Sequence, residues 1–214
     1  MKPMIASVLT LDRRACRALR ITDAYSLHRV VYNLFDDVRQ PAEKSASHPS
    51  GILYADQGGD FQGRRILLLS DRPPKAQTSD HGQLVSKPIA EGFLDHRRYR
   101  FKVQVNPTKR NNASRKLVAI KGREATAAWF AERSLSQWGF RVIQQHLQVD
   151  NIDVLQFTDK QQRQITIGRA HLHGVLEVTD SPMFEQSFTH GIGRARAFGC
   201  GLLQIVPIAE DPFA

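Results

Sequence analysis

Apolar and polar positions divide the chain into two similar series of elements. Met4 to Leu11 reads as a strand, and Ala24 to Asp37 reads as a helix behind an Asp23 N-cap. Within that helix Leu27, Val31, Leu34 and Phe35 recur at i, i+4, i+7 and i+8, the spacing of a stripe buried along one side. Ile52–Ala55 and Arg65–Leu69 predict two further strands, and the stretch from Ser70 to about Pro88, interrupted by Pro73, Pro74 and Gly82, reads as irregular. The second half begins with strands near 98–105 and 116–121. A helix from Glu124 to Trp138 follows, with Ala125, Ala128, Trp129 and Leu135 available for burial. Strands are expected near 140–146, 152–158 and 164–178, then a short helix from the Asp180-Ser181-Pro182 cap to His190, and a closing strand in LLQIVPI. Two such series predict an α+β protein of two small domains, each a sheet with helices on one face, and the order of elements suggests tandem ferredoxin-like units. The boundary is expected between Ser70 and Asp95, dividing the chain into 1–90 and 95–214.

Composition narrows the class. The 214 residues are 41% hydrophobic and 24% charged, enough apolar material for a packed core and too much for a disordered chain. No segment approaches the ~18 consecutive apolar residues of a membrane-spanning helix, and MKPMIASVLTLDRR lacks the apolar run of a signal peptide. A cytoplasmic protein with no membrane partner is expected. Cys16 and Cys200 cannot build a disulfide framework and form no C-x-x-C pair, so both are expected as free, buried thiols.

Charge changes the picture more than composition does. The chain carries a formal +9, and residues 97–123 hold ten basic side chains with no acidic one, more than the whole net charge. Within this window Tyr99, Phe101, Val103 and Val105 alternate with Arg98, Arg100, Lys102 and Gln104, the period of a strand with one apolar and one basic face. Asn106-Pro107 breaks the strand, and the stretch through Lys109, Arg110 and Ser114 reads as a polar loop before Arg115 and Lys116 lead into the next strand. Clustered cations without acids favour a nucleic-acid partner, because binding a phosphate backbone releases its condensed counterions. An anionic membrane fits less well, since these residues do not lie on an amphipathic helix.

Two segments offer chemistry. On the first helix Tyr25, His28 and Tyr32, at i, i+3 and i+7, line a stripe beside the apolar one, and a Tyr and a His one turn apart can converge on a phosphate. By spacing alone, a His and a Tyr at the edge of a core are usually satisfied structural residues. GIGRARAFGCGLL carries Gly191, Gly193, Gly199 and Gly201 around Arg194 and Arg196. It is neither a Rossmann fingerprint, because Arg196 stands at the third glycine, nor a Walker loop, which needs Gly-Lys-Ser/Thr. Four glycines still permit close approach of a backbone or ligand. His171 and His173 share a strand face with Arg169, a polar sheet face more than a metal site, and adjacent Asp36 and Asp37 point ~100° apart on a helix and cannot chelate one ion. There is no Gly-x-Ser-x-Gly and no pair of His-x-Thr/Ser motifs, only His48-x-Ser50. No metal and no small-molecule cofactor are expected; a nuclease on this chain would work without a catalytic metal.

DAYSLHRVVYNLF, YRFKVQVNPTKR and GIGRARAFGCGLLQIVPI, in that order, resemble the CasE endoribonucleases, the subunit of type I-E Cascade complexes that processes CRISPR RNA. The resemblance runs through nearly the whole chain. It implies two tandem ferredoxin-like domains that bind the stem-loop of the CRISPR repeat transcript, cut at the 3′ base of the stem, and stay on the guide RNA beside other Cascade subunits. His28 matches the family's catalytic histidine and Tyr25 its nearby tyrosine, and Gly191, Gly193, Gly199 and Gly201 match its signature loop. The family's RNA-gripping basic hairpin falls here on Lys160, Arg163 and Arg169. Some relatives have a lysine five residues after the histidine; here Asn33 stands there, leaving Arg29 as a candidate cation. Which proton step His28 serves stays open, as does a non-catalytic RNA-binding scaffold in which Tyr25 and His28 are structural.

Overall fold

A computed structural model of the chain describes residues 3–40, 49–59, 63–75 and 82–209. The first sheet is built from β1 (Ile5–Leu11), β2 (Ile52–Gly59), β3 (Arg64–Ser70) and β4 (Gln83–Pro88), in the order β2-β3-β1-β4 with every neighbour antiparallel. Side chains on alternate positions face opposite ways. Leu9 and Leu11 of β1, Ile52 and Tyr54 of β2, and Ile66 and Leu68 of β3 therefore share one core, covered by α1 (Arg13–Ala18) and α2 (Ala24–Asn33). Leu27, Val31, Leu34 and Phe35 all enter that core, as their spacing predicts.

The second sheet joins β5 (Arg98–Val105), β8 (Phe140–Val142), β10 (Gln164–Val178) and β11 (Gln204–Pro207) in the order β11-β5-β10-β8, with β9 (Gln148–Thr158) paired along β10. In each half the fourth strand lies beside the first, the first beside the third and the third beside the second. That is the strand order of a ferredoxin-like unit. α3 (Arg123–Gln137) and α4 (Ser181–His190) are the two crossovers of the second unit, and α4 opens on an Asp180 carboxylate that accepts from the Met183 amide at 2.9 Å. Phe101 of β5 stacks on Phe130 of α3 at 5.6 Å between ring centroids, and Tyr99 lies 5.4 Å from Phe184 of α4.

The two units share apolar material. Met4, Leu53, Ala55 and Leu69, from the face of the first sheet turned away from α1 and α2, belong to the same buried cluster as Phe101, Phe130 and Phe140. Gln104 Nε2 of β5 donates to the Asp56 carbonyl of β2 at 2.8 Å, tying the sheets together directly.

Several expectations are corrected. α1 was not foreseen; its six residues start on Asp12, whose carboxylate accepts from Ala15 N. α2 ends at Asn33 rather than Asp37, because Leu34 and Phe35 close the last turn with bonds to Val31 and Tyr32 and drive their side chains into the core. The stretch read as irregular contains β4, which completes the first sheet against β1. The polar loop after Asn106 holds a short strand, β6 (Thr108–Arg110), paired with β7 (Leu117–Ala119). β8 stops at Val142, and Gln144–His146 is a 3₁₀ turn. Cys16 is only partly buried, while Cys200 is buried; both are free. On α3 the buried residues are Thr126, Trp129, Phe130 and Ser134, and Ala125, Ala128 and Leu135 face outward. Phe130→Ala is therefore expected to cost about 3–5 kcal/mol in urea denaturation, and Leu135→Ala to stay within about 0.5 kcal/mol.

Candidate active site

The Asp23 carboxylate caps α2 by accepting from Ser26 N at 2.7 Å, and Ser26 Oγ accepts in return from Asp23 N. This reciprocal box fixes where the helix begins and so the direction in which Tyr25, His28 and Tyr32 leave it. The His28 ring lies 4.2 Å from Tyr32, 5.5 Å from Phe198 and 6.2 Å from Tyr25, centroid to centroid, and stacks on Tyr25 at 21°. Phe157 of β9 stacks on Tyr25 at 6.4 Å and meets Phe198 at 4.6 Å. The histidine thus stands where the first unit's helix, a strand of the second unit and the glycine-rich loop meet.

One hydrogen bond decides its chemistry. His28 Nδ1 lies 2.7 Å from the carbonyl oxygen of Ala197. A carbonyl only accepts, so Nδ1 carries the proton, and in the neutral ring the lone pair is on Nε2. Burial of the ring pushes its pKa below 6.5. The Ala197 hydrogen bond pulls it back up, and the positive charge of Arg39 adds a smaller push downward. The neutral imidazole is the form favoured near pH 7.

The loop that presents Ala197 is crowded at its glycines other than Gly193. A Cβ on Gly199, at φ +82°, would stand 3.2 Å from Cε2 of Tyr54, and one on Gly201, at φ +84°, would stand 2.4 Å from the Ile192 carbonyl. Gly191 follows the last turn of α4, and Gly193 faces open space. Gly201 N donates to the Gln104 carbonyl at 2.7 Å and the Gly201 carbonyl accepts from Ile192 N at 2.9 Å, so the loop is sewn both to itself and to β5. Arg196 Nη1 donates to the His190 carbonyl at 2.7 Å and serves as a brace, whereas Arg194 is exposed.

The proposed cations divide. Arg29 is exposed on α2, beside His28 in sequence. Lys109, Arg110, Arg115 and Lys116 are exposed around the β6–β7 hairpin. Arg98, Arg100 and Lys102 are exposed on β5, and the latter two line a mostly apolar groove of about 570 Å³ between the two sheets, with Val8, Leu67 and Val206; His28 does not line it. Arg163 is bound by Asp159 and Arg169 by Asp153, each through two nitrogens, so only Lys160 of the β9–β10 trio has no carboxylate partner among the described residues. His171 and His173 are matched to Asp153 and Asp150 across the β9–β10 ladder. Among the described residues no three His, Cys, Asp or Glu side chains are grouped to hold a metal ion, and no helix is long and apolar enough to cross a membrane. Tyr54, Phe157, Phe198 and the Ala197 carbonyl were missed as site groups. Tyr54 alone left a trace in the sequence, a hydroxyl on the core side of a strand.

Fold and site together define a class: a tandem ferredoxin-like protein in which a glycine-rich loop holds a helix-borne histidine. The chain belongs to the CRISPR associated protein family, whose model matches residues 4–207. It is 31% identical over 130 residues to CRISPR-associated endoribonuclease Cse3 of Thermus thermophilus, a match spanning 56% of this chain and 61% of that protein. The fold superimposes with a TM-score of 0.79 on CRISPR endoribonuclease Cse3 bound to a 19 nt RNA, at 23% identity over 96% of this chain and all of that one. With a chain of a CRISPR RNA-guided surveillance complex the TM-score is 0.65, at 18% identity over 95% of this chain and all of that one.

In an NMR titration His28 is expected to titrate below 6.5. As the pH falls below about 6.5 the unfolded chain takes up this proton first. The stability that neutral His28 confers is present above that pH and is lost as the pH drops to the folded value.

Proposed function

We propose that this chain is a metal-independent endoribonuclease that binds the stem-loop of a CRISPR repeat transcript and cuts it at the 3′ base of the stem. In this reading residues 1–90 and 95–214 form its two domains, it remains on the guide RNA among other Cascade subunits, and it works in the cytoplasm, where such transcripts are made. The observation that carries the proposal is the His28 Nδ1 bond to the Ala197 carbonyl beside Tyr25, since it leaves Nε2 as a base on a ring favoured neutral. Family membership and the named endoribonuclease relative support it.

The chemistry requires only groups of the RNA and of this chain. The 2′-OH upstream of the scissile phosphate gives its proton to His28 Nε2, and its oxygen attacks phosphorus. The bond from phosphorus to the 5′-oxygen breaks, and the Tyr25 hydroxyl gives that leaving oxygen its proton or orients it to take one from water. The ends left are a 2′,3′-cyclic phosphate and a 5′-OH. Arg29, exposed on the same helix, supplies positive charge to the phosphorane-like transition state. The exposed cations of the β6–β7 hairpin grip the stem by backbone and shape, because the deep, narrow major groove of A-form RNA limits base readout.

A repeat RNA with a 2′-deoxy residue just upstream of the cut is expected to resist cleavage, while EDTA leaves cleavage of the all-ribose RNA intact; cutting of the deoxy substrate would refute the mechanism. His28→Ala should retain RNA binding and lose cleavage, which separates an enzyme from a scaffold. Replacing both Lys109 and Arg110 with Ala should weaken binding and reduce the slope of log K against log salt by roughly one to two. An unchanged slope removes the hairpin from the interface.

A further inference from the structure

The Ala197 carbonyl that receives His28 Nδ1 receives a second donor. Tyr54 Oη of β2 donates to the same oxygen at 3.1 Å, from a residue only 1% exposed. Ala197 sits within the 3₁₀ turn Arg196–Phe198, flanked by left-handed residues at Ala195 and Gly199. The turn's own backbone bonds go to the carbonyls of Ala195 and Arg196. The direction of the Ala197 carbonyl is therefore set by two side chains from the other half of the molecule. Below the turn, the Tyr54 ring is the surface against which Gly199 lies.

We propose that Tyr54 is a positioning residue for His28: its hydroxyl holds the Ala197 carbonyl in place, and that carbonyl holds the imidazole with Nδ1 protonated and Nε2 available. The inference deepens the nuclease reading and rests on it. Three physical points support the role. A carbonyl oxygen has two lone pairs, and two donors from fixed elements define its direction better than one. The donor on the far side of the carbonyl is a phenol whose pKa burial pushes far up, so it stays protonated and donating wherever His28 titrates. A base that transfers a proton must lie within hydrogen-bond reach in the right tautomer, which a loop carbonyl free to rotate does not enforce.

The groups facing His28 are Tyr25 and Tyr32 from its own helix, Phe198 of the loop, and Tyr54 through the shared carbonyl, with Phe157 of β9 behind Tyr25 and Phe198 and Arg39 the cation that acts on its charge. Tyr54→Phe keeps the ring and its contact with Gly199 and removes only the donor. RNA affinity is expected to stay within about two-fold and kcat to fall about ten-fold. The acidic limb of the pH–rate profile is expected to move downward, because a carbonyl no longer held in line bonds the imidazolium less well and the hydrogen bond that raises the His28 pKa weakens. Nitrogen-15 spectra of the free protein should show a single Nδ1-protonated tautomer for wild-type His28 and a mixture in Tyr54→Phe. Wild-type kcat, an unmoved limb and an unchanged tautomer in the variant would overturn the proposal. So would an Nε2-protonated His28 in the wild type, a measurement that needs no variant to fold. Failure of the nuclease reading shows separately, as cleavage that survives His28→Ala.

Discussion

The oxygen of Ala197 is where the molecule's separate parts are made to agree. An imidazole from α2 and a phenol from β2 both donate to it, although the carbonyl belongs to a loop some 140 to 170 residues further along the chain. Tyr54 is held in the first core and His28 is boxed by aromatic rings, so the loop adopts the one path that brings the carbonyl to them. The glycines follow from that path: side chains at Gly199 and Gly201 would strike the Tyr54 ring and the Ile192 carbonyl.

This arrangement requires the two units to be fixed against each other. The first sheet is apolar on both faces; one face is covered by its own helices and part of the other is buried in the second unit's core. Burying apolar area drives the association, while the Gln104 bond to Asp56 sets its register. A site at the seam has the chemical advantage of partial burial. The lowered pKa of His28 comes mainly from desolvation, which neither unit supplies alone, since α2 contributes the ring and Phe198 of the loop lies against it.

Electrostatics is distributed differently from what charge counting suggests. The basic window of residues 97–123 is divided between β5, whose Arg100 and Lys102 look into the intersheet groove, and the β6–β7 hairpin, whose cations stand in solvent. On β9–β10 the arginines are matched by Asp153 and Asp159, so their charge is largely spent within the protein.

Most of the fold was legible in the order of residues, because a half-buried strand or helix writes its period into the chain. The α2 stripe, the alternation of β5 and the N-cap of α4 are local patterns, and the structure contains them. The elements that were missed have weak local signals. α1 is a single turn and a half, β4 is a largely exposed strand that needs β1 to exist, and the outward face of α3 is apolar enough to mislead. For the site, the sequence by itself supplied Tyr25, His28 and the glycine loop, through family resemblance more than spacing. Beyond a hydroxyl on the core side of a strand at Tyr54, it carried no sign that Tyr54, Phe157 and Ala197 would stand beside them. Those contacts join residues far apart in the chain, and only the packing of two sheets against one another determines which distant groups share a carbonyl.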